Sequence, residues 1–146
     1  MRRRNFINQI AALGSLTLTG FPQLACTAPS KYKMGLQLFS VRDAMAEDPV
    51  GTLKKVKAMG YQDFETYGFN PDTKRIYGLE VGEFKMVLDD LGLTTTSGHY
   101  AFSDYFNATE DKLKEFVDQC IEASKILNAP YITWPWVHPD QRNAES

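Results

Sequence analysis

Two segments of this chain place an ionisable side chain where a strand-like run gives out. Thr94-Thr95-Thr96-Ser97-Gly98-His99 opens on three β-branched residues and delivers a histidine at its exit, with Tyr100, Ala101 and Phe102 behind it. Tyr61-Gln62-Asp63-Phe64-Glu65-Thr66 delivers Glu65 in the same way. Imidazole and carboxylate are the groups that shuttle protons between carbon, oxygen and solvent, best with a pKa near the working pH. A third run, Pro130–Trp136, ends in Trp134 and Trp136, with His138 two residues on, and the first ends at Arg42. Only two histidines occur in the chain, and both follow strand-like runs, which favours a site over scattered placement. The plain alternatives stay open. A lone histidine is more often structural, an inward glutamate pairs with a lysine or arginine, strand-end tryptophans are core, and His138 in a Pro-rich loop is a surface residue.

The elements that must position these groups alternate. Lys33–Val41 reads as a strand, and Asp48-Pro49 supplies an N-cap and first-turn proline for a helix through Leu53, Val56 and Met59, closed by Gly60. Tyr61–Thr66 is the second strand. The turn-rich 67–78 leads to a helix bearing Phe84, Val87, Leu88 and Leu91, closed by Gly92. Leu93–Gly98 is the third strand, with Gly98 letting the backbone bend to aim His99. Asn107 and Glu110 have capping-box spacing, and Leu113, Phe116, Val117, Cys120, Ile121, Ser124 and Leu127 repeat at helical intervals as far as Asn128. A fourth strand follows from Pro130. Four strands spaced by helices predict a parallel sheet, either doubly wound or part of a (βα)8 barrel.

Length and composition suit one globular domain: 146 residues, 43% hydrophobic and 23% charged. Residues 1–30 read as an export signal and linker, and 31–146 as the folded domain. Arg2, Arg3 and Arg4 precede a modestly apolar stretch from Ile10 to Phe21 and a small-residue exit. Arg3-Arg4-Asn5-Phe6 resembles a twin-arginine signal, and Gln23-Leu24-Ala25-Cys26 resembles a lipobox with Cys26 as the lipidated residue. The expected location is therefore exported, either periplasmic or anchored as a lipoprotein at Cys26. Without those three arginines, the 16 basic side chains fall to 13 against 18 acidic, a balance of −5. Nucleic-acid binding rests on neutralising phosphates, so no nucleic-acid partner is expected. Cys120 lies on an apolar helical stripe and is expected to be inert.

Met34–Glu65, Glu83–Phe102 and Tyr131–Trp136 together resemble the sugar phosphate isomerase/epimerase family of xylose-isomerase-like barrels, most specifically in Gly35–Asp43, Glu65 and Ser97–Phe102. The resemblance implies the first half of a (βα)8 TIM barrel, with about four parallel strands, since such a barrel needs about 250 residues. It implies a sugar or sugar-derivative substrate and metal-assisted proton or hydride transfer in the full-length parent. Glu65 and His99 would be catalytic, and Arg42, Trp134, Trp136 and His138 would bind substrate. The divalent metal's ligands come from later strands, so no metal ligand is expected in this chain, and the chain reads as a fragment inactive alone. A homo-oligomer is one way to cover its open edges. Two other classes compete: a non-catalytic sugar-binding or interaction protein, and, with less support from two histidines and an acidic balance, an apurinic-site-endonuclease-like metal hydrolase.

The leader generates its own test. Changing Arg3 and Arg4 to lysine should leave the protein in the cytoplasm, because the twin-arginine route reads the guanidinium pair. Unchanged export in that double variant would assign the general secretory route. Labelling by a palmitate analogue, lost in Cys26→Ala, checks the lipobox separately.

Overall fold

The computed structural model describes residues 32–142, so Arg3, Arg4 and Cys26 lie outside the described residues. Strand β1 (Gly35–Gln37) is shorter than expected. Leu38–Val41 winds into a 3-10 turn, and Arg42–Glu47 continues as helix α1, which no capping signal announced. Burial explains the difference. The tight turn lets Leu38 and Met45 both enter the core while Phe39 stays half exposed. Asp48 then caps α2 (Pro49–Ala58) by accepting from the Gly51 amide at 2.8 Å, as its type and place predict.

Strand β2 (Asp63–Thr66) follows the left-handed Gly60. The turn-rich segment contains an unforeseen hairpin, β3 (Arg75–Ile76) and β4 (Leu79–Glu80), joined by Tyr77 and Gly78, both at positive φ. Two such residues make the turn whose twist matches paired strands. Helix α3 (Val81–Asp90) buries Val81, Phe84 and Leu88 and stops at Gly92. Strand β5 (Thr94–His99) leads through a 3-10 turn to α4 (Glu110–Leu127). Thr109, not Asn107, caps α4, taking the Lys112 amide at 3.4 Å, because the helix begins only at Glu110. Asn128 ends it at φ 55°, the left-handed place glycine takes after α2 and α3. Strand β6 is only Tyr131–Thr133, and Pro135, which has no N–H, lies just beyond it.

The four long-range strands form one parallel sheet in the order β1-β2-β5-β6, with the helices between them in sequence. One sheet face packs on the helices through Phe64, Phe84, Leu38, Met45, Leu53, Leu88 and Leu127. The α4 stripe is narrower than its spacing suggests. Phe116, Cys120, Ser124 and Leu127 are buried, but Leu113 and Ile121 are not, because no described element covers that flank beside β6. Burial pushes the Cys120 thiol up to about 12, so it stays a protonated small hydrophobe.

Tyr77 packs edge-on between the rings of Tyr67 and Phe84, and its hydroxyl accepts from the Tyr67 amide at 2.9 Å. Burial raises its pKa far above the ordinary phenol range, outweighing that hydrogen bond, and burial also raises Tyr100. In the unfolded chain these phenols ionise near pH 10, while the native chain keeps its protons. Stability is therefore full below about pH 10 and falls as pH rises through and beyond it. Tyr77→Phe should flatten this alkaline decline while costing about 1 kcal/mol at pH 7 through the orphaned Tyr67 N–H. Urea unfolding at pH 7 and pH 10.5 (roughly the phenol range) checks both.

Candidate active site at the strand ends

The site depends on a one-residue slip in the sheet. Phe64 pairs with Thr95, but Glu65 pairs with Ser97, leaving Thr96 as an extra residue on β5. Before the slip, Thr94 and Thr96 face the side occupied by Asp63, whose carboxylate accepts from both hydroxyls. Thr95 faces the helices, donating to the Leu127 carbonyl at 2.7 Å. After the slip, Ser97 and His99 share the face of Asp63 and Glu65, and Gly98 turns to the helix side. Strict alternation from buried Thr95 would have sent His99 into the helices. Bulges re-aim side chains in this way beside functional sites.

Four strand ends then converge. His99 Nε2 lies 2.6 Å from Glu65 Oε1, and His99 Nδ1 lies 3.1 Å from the Gln37 side-chain nitrogen. Glu65 Oε2 accepts from Ser97 Oγ and, at 3.5 Å, from Thr133 Oγ1. Gln37, Glu65 and Ser97 form one row across β1, β2 and β5, and Thr133 pairs with His99 two rows on. Both members of the acid–imidazole pair keep about a quarter of their side-chain surface open, 27% for Glu65 and 22% for His99. A carboxylate fixed by three donors and an imidazole fixed at both nitrogens make a preorganised acid–imidazole pair within reach of solvent, groups of the kind that can move protons. Gln37, Ser97 and Thr133 were missed from the sequence. Ser97 lies next to the last residue of its predicted strand, but Gln37 and Thr133 fall midway along theirs and reach strand ends only because β1 and β6 are shorter than expected.

The resemblance puts the divalent cation's ligands on strands beyond those of this chain. Among the described residues no group of three or more His, Cys, Asp or Glu side chains gathers, and the Glu65 and His99 donor atoms are engaged with each other.

The remaining predicted residues lie apart from the pair. Arg42 opens α1, with its guanidinium 4.9 Å above the Phe39 ring and 3.8 Å from the Asp43 carboxylate. Trp134 donates to Ser103 Oγ at 3.1 Å and tilts against Phe102 and Phe106. The Trp136 carbonyl accepts from the same hydroxyl, and its half-exposed ring meets His138 edge-on. His138 caps the short turn Pro139–Gln141, accepting from the Asp140 amide at 3.3 Å. Among the described residues no hydrogen bond, ion pair or ring contact joins any of these four to Glu65 or His99.

Parallel strands alternating with helices, and polar residues gathered at the strands' C-terminal ends, define part of a (βα)8 barrel. No protein-family model matches the chain, and no curated protein matches it. A crystal structure of a sugar phosphate isomerase/epimerase from Parabacteroides distasonis ATCC 8503 superposes with a TM-score of 0.61 at 23% identity, over 80% of this chain and 45% of that one. A second structure of that description from the same organism gives 0.49 at 26% identity, over 68% and 40%. The first likeness establishes the fold. The chain spans less than half the length of either solved protein.

Gly98 has no positive φ, so no left-handed residue precedes His99. It is needed for space: a Cβ there would lie 2.8 Å from the Tyr100 ring and 3.0 Å from Thr66 Oγ1. The Tyr100 ring cannot easily retreat, because its hydroxyl is bound to Ser124 Oγ at 2.7 Å in the interior. Gly98→Ala should therefore destabilise the fold by about 1–3 kcal/mol, the usual cost of overpacking. A chemical-denaturation midpoint equal to wild type would refute the close approach.

Proposed function

We propose that this chain is part of a sugar isomerase or epimerase barrel, holding a sugar or sugar derivative at the C-terminal ends of its strands. Glu65 and His99 would be the proton-transfer pair. The observation that carries the reading is their 2.6 Å contact at the mouth of a barrel-type sheet, on a face where Gln37, Ser97 and Thr133 supply further hydrogen-bonding groups. The likeness to a sugar phosphate isomerase/epimerase supports the substrate class. Isomerising or epimerising next to a carbonyl means removing a proton from carbon and returning it to carbon on another atom or face. A carboxylate oriented by an imidazole against one oxygen can take that proton and return it. The activity belongs to the whole barrel of which this sheet is part.

A non-catalytic sugar-binding role is the second reading. It is favoured by the mutual satisfaction of Glu65 and His99, whose facing atoms are engaged with each other.

Aldoses, ketoses and their phosphates incubated in heavy water with the full-length barrel that contains this chain separate these readings. Deuterium should enter at the carbon beside the carbonyl. Glu65→Gln and His99→Asn should each slow that entry 10- to 100-fold, about 1.4–2.7 kcal/mol of transition-state stabilisation. Sugar binding by ligand-observed NMR without exchange would select the binding role. Neither binding nor exchange across the panel would sink both.

A further inference from the structure

Gln37 is the one member of the strand-end cluster whose chemistry constrains a proton. Its side-chain nitrogen lies 3.1 Å from His99 Nδ1, and His99 Nε2 lies 2.6 Å from Glu65 Oε1. An amide nitrogen only donates, and an ionised carboxylate only accepts. Nδ1 must then offer its lone pair, and Nε2 must carry the ring proton. We propose that Gln37 is a positioning residue that holds His99 in the neutral Nε2–H tautomer, which makes Glu65 the proton acceptor of the pair and His99 its hydrogen-bond donor. This assignment of roles rests on the reading of the pair as an acid–base site.

The surroundings agree. Glu65 is the charged side chain in contact with the ring. Asp63, two residues back along β2, is occupied by Thr94 and Thr96, while β1 and β6 present the neutral Gln37 and Thr133. The second oxygen of Glu65 is taken by Ser97 and Thr133, so the carboxylate is held in one orientation against the ring. Were the Gln37 amide turned, its oxygen would demand a proton on Nδ1. The ring, already donating to Glu65, would then be an imidazolium. The two arrangements place different numbers of protons on the ring, which a spectrum distinguishes.

The test is a long-range proton–nitrogen correlation on the full chain labelled with 15N-histidine at neutral pH. With only two histidines present, His138→Gln assigns the spectrum. The expected result for His99 is a pyridine-like Nδ1 and a pyrrole-like Nε2. A protonated Nδ1, alone or with Nε2, overturns the proposal. Gln37→Glu, which can only accept at that position, should protonate both ring nitrogens. An Nδ1 still pyridine-like in a folded Gln37→Glu protein overturns Gln37 as the positioning group. Should that variant fail to melt cooperatively, Gln37→Met replaces it, and an Nδ1 resonance unmoved from wild type has the same consequence. The spectra are read without sugar, so failure of the tautomer assignment is distinguishable from failure of the sugar reading in the heavy-water experiment.

Discussion

In a regular strand, residues an even number apart share a face, so Thr95 and His99 ought to point the same way. They do not, because Thr96 is an extra residue between the pairs Phe64–Thr95 and Glu65–Ser97. Thr95 spends its hydroxyl on the end of α4, anchoring the strand to the core, and His99 emerges on the opposite face beside Glu65. The same strand thus serves two masters, packing and site, which a strictly alternating sequence of this register could not. Everything else at the strand ends follows from that slip: Ser97 reaching Glu65, Thr133 lining up with His99, and Gly98 facing the tightly packed Thr66 and Tyr100.

The two faces of the sheet carry different chemistry. The helix side is a dense apolar layer, with Phe64, Phe84 and Leu53 almost fully buried, and its few polar groups pair internally, as Tyr100 does with Ser124. The opposite face presents Gln37, Asp63, Glu65, Thr94, Thr96, Ser97, His99 and Thr133, each hydrogen-bonded to another of the set. Satisfied networks of this kind rigidify what they connect.

Much of the scaffold was legible in the sequence. Asp48-Pro49 announced α2, Gly60, Gly92 and Asn128 marked three helix ends in the left-handed conformation, and runs with alternating, aromatic or β-branched character located the parallel strands. These succeed because caps, left-handed stops and strand propensity are local, decided by a few neighbouring residues. Helix α1, the hairpin of β3 and β4 and the Thr109 cap were not legible. Each depends on which side chain finds room in the core or which residue reaches an orphaned amide, and those are distances set by the assembled fold.

The site divides in the same way. Residue type and position at strand exits were enough to single out Glu65 and His99, since in parallel sheets the C-terminal ends of strands open on one side and collect functional groups. Their contact was decided only in the tertiary structure. It requires parallel pairing between segments more than thirty residues apart and a one-residue slip in that pairing, and neither leaves a trace in local periodicity. Gln37 is the clearest case. Alone it is a polar residue at the end of a short strand, and only the sheet that brings β1, β2 and β5 side by side sets its amide against His99.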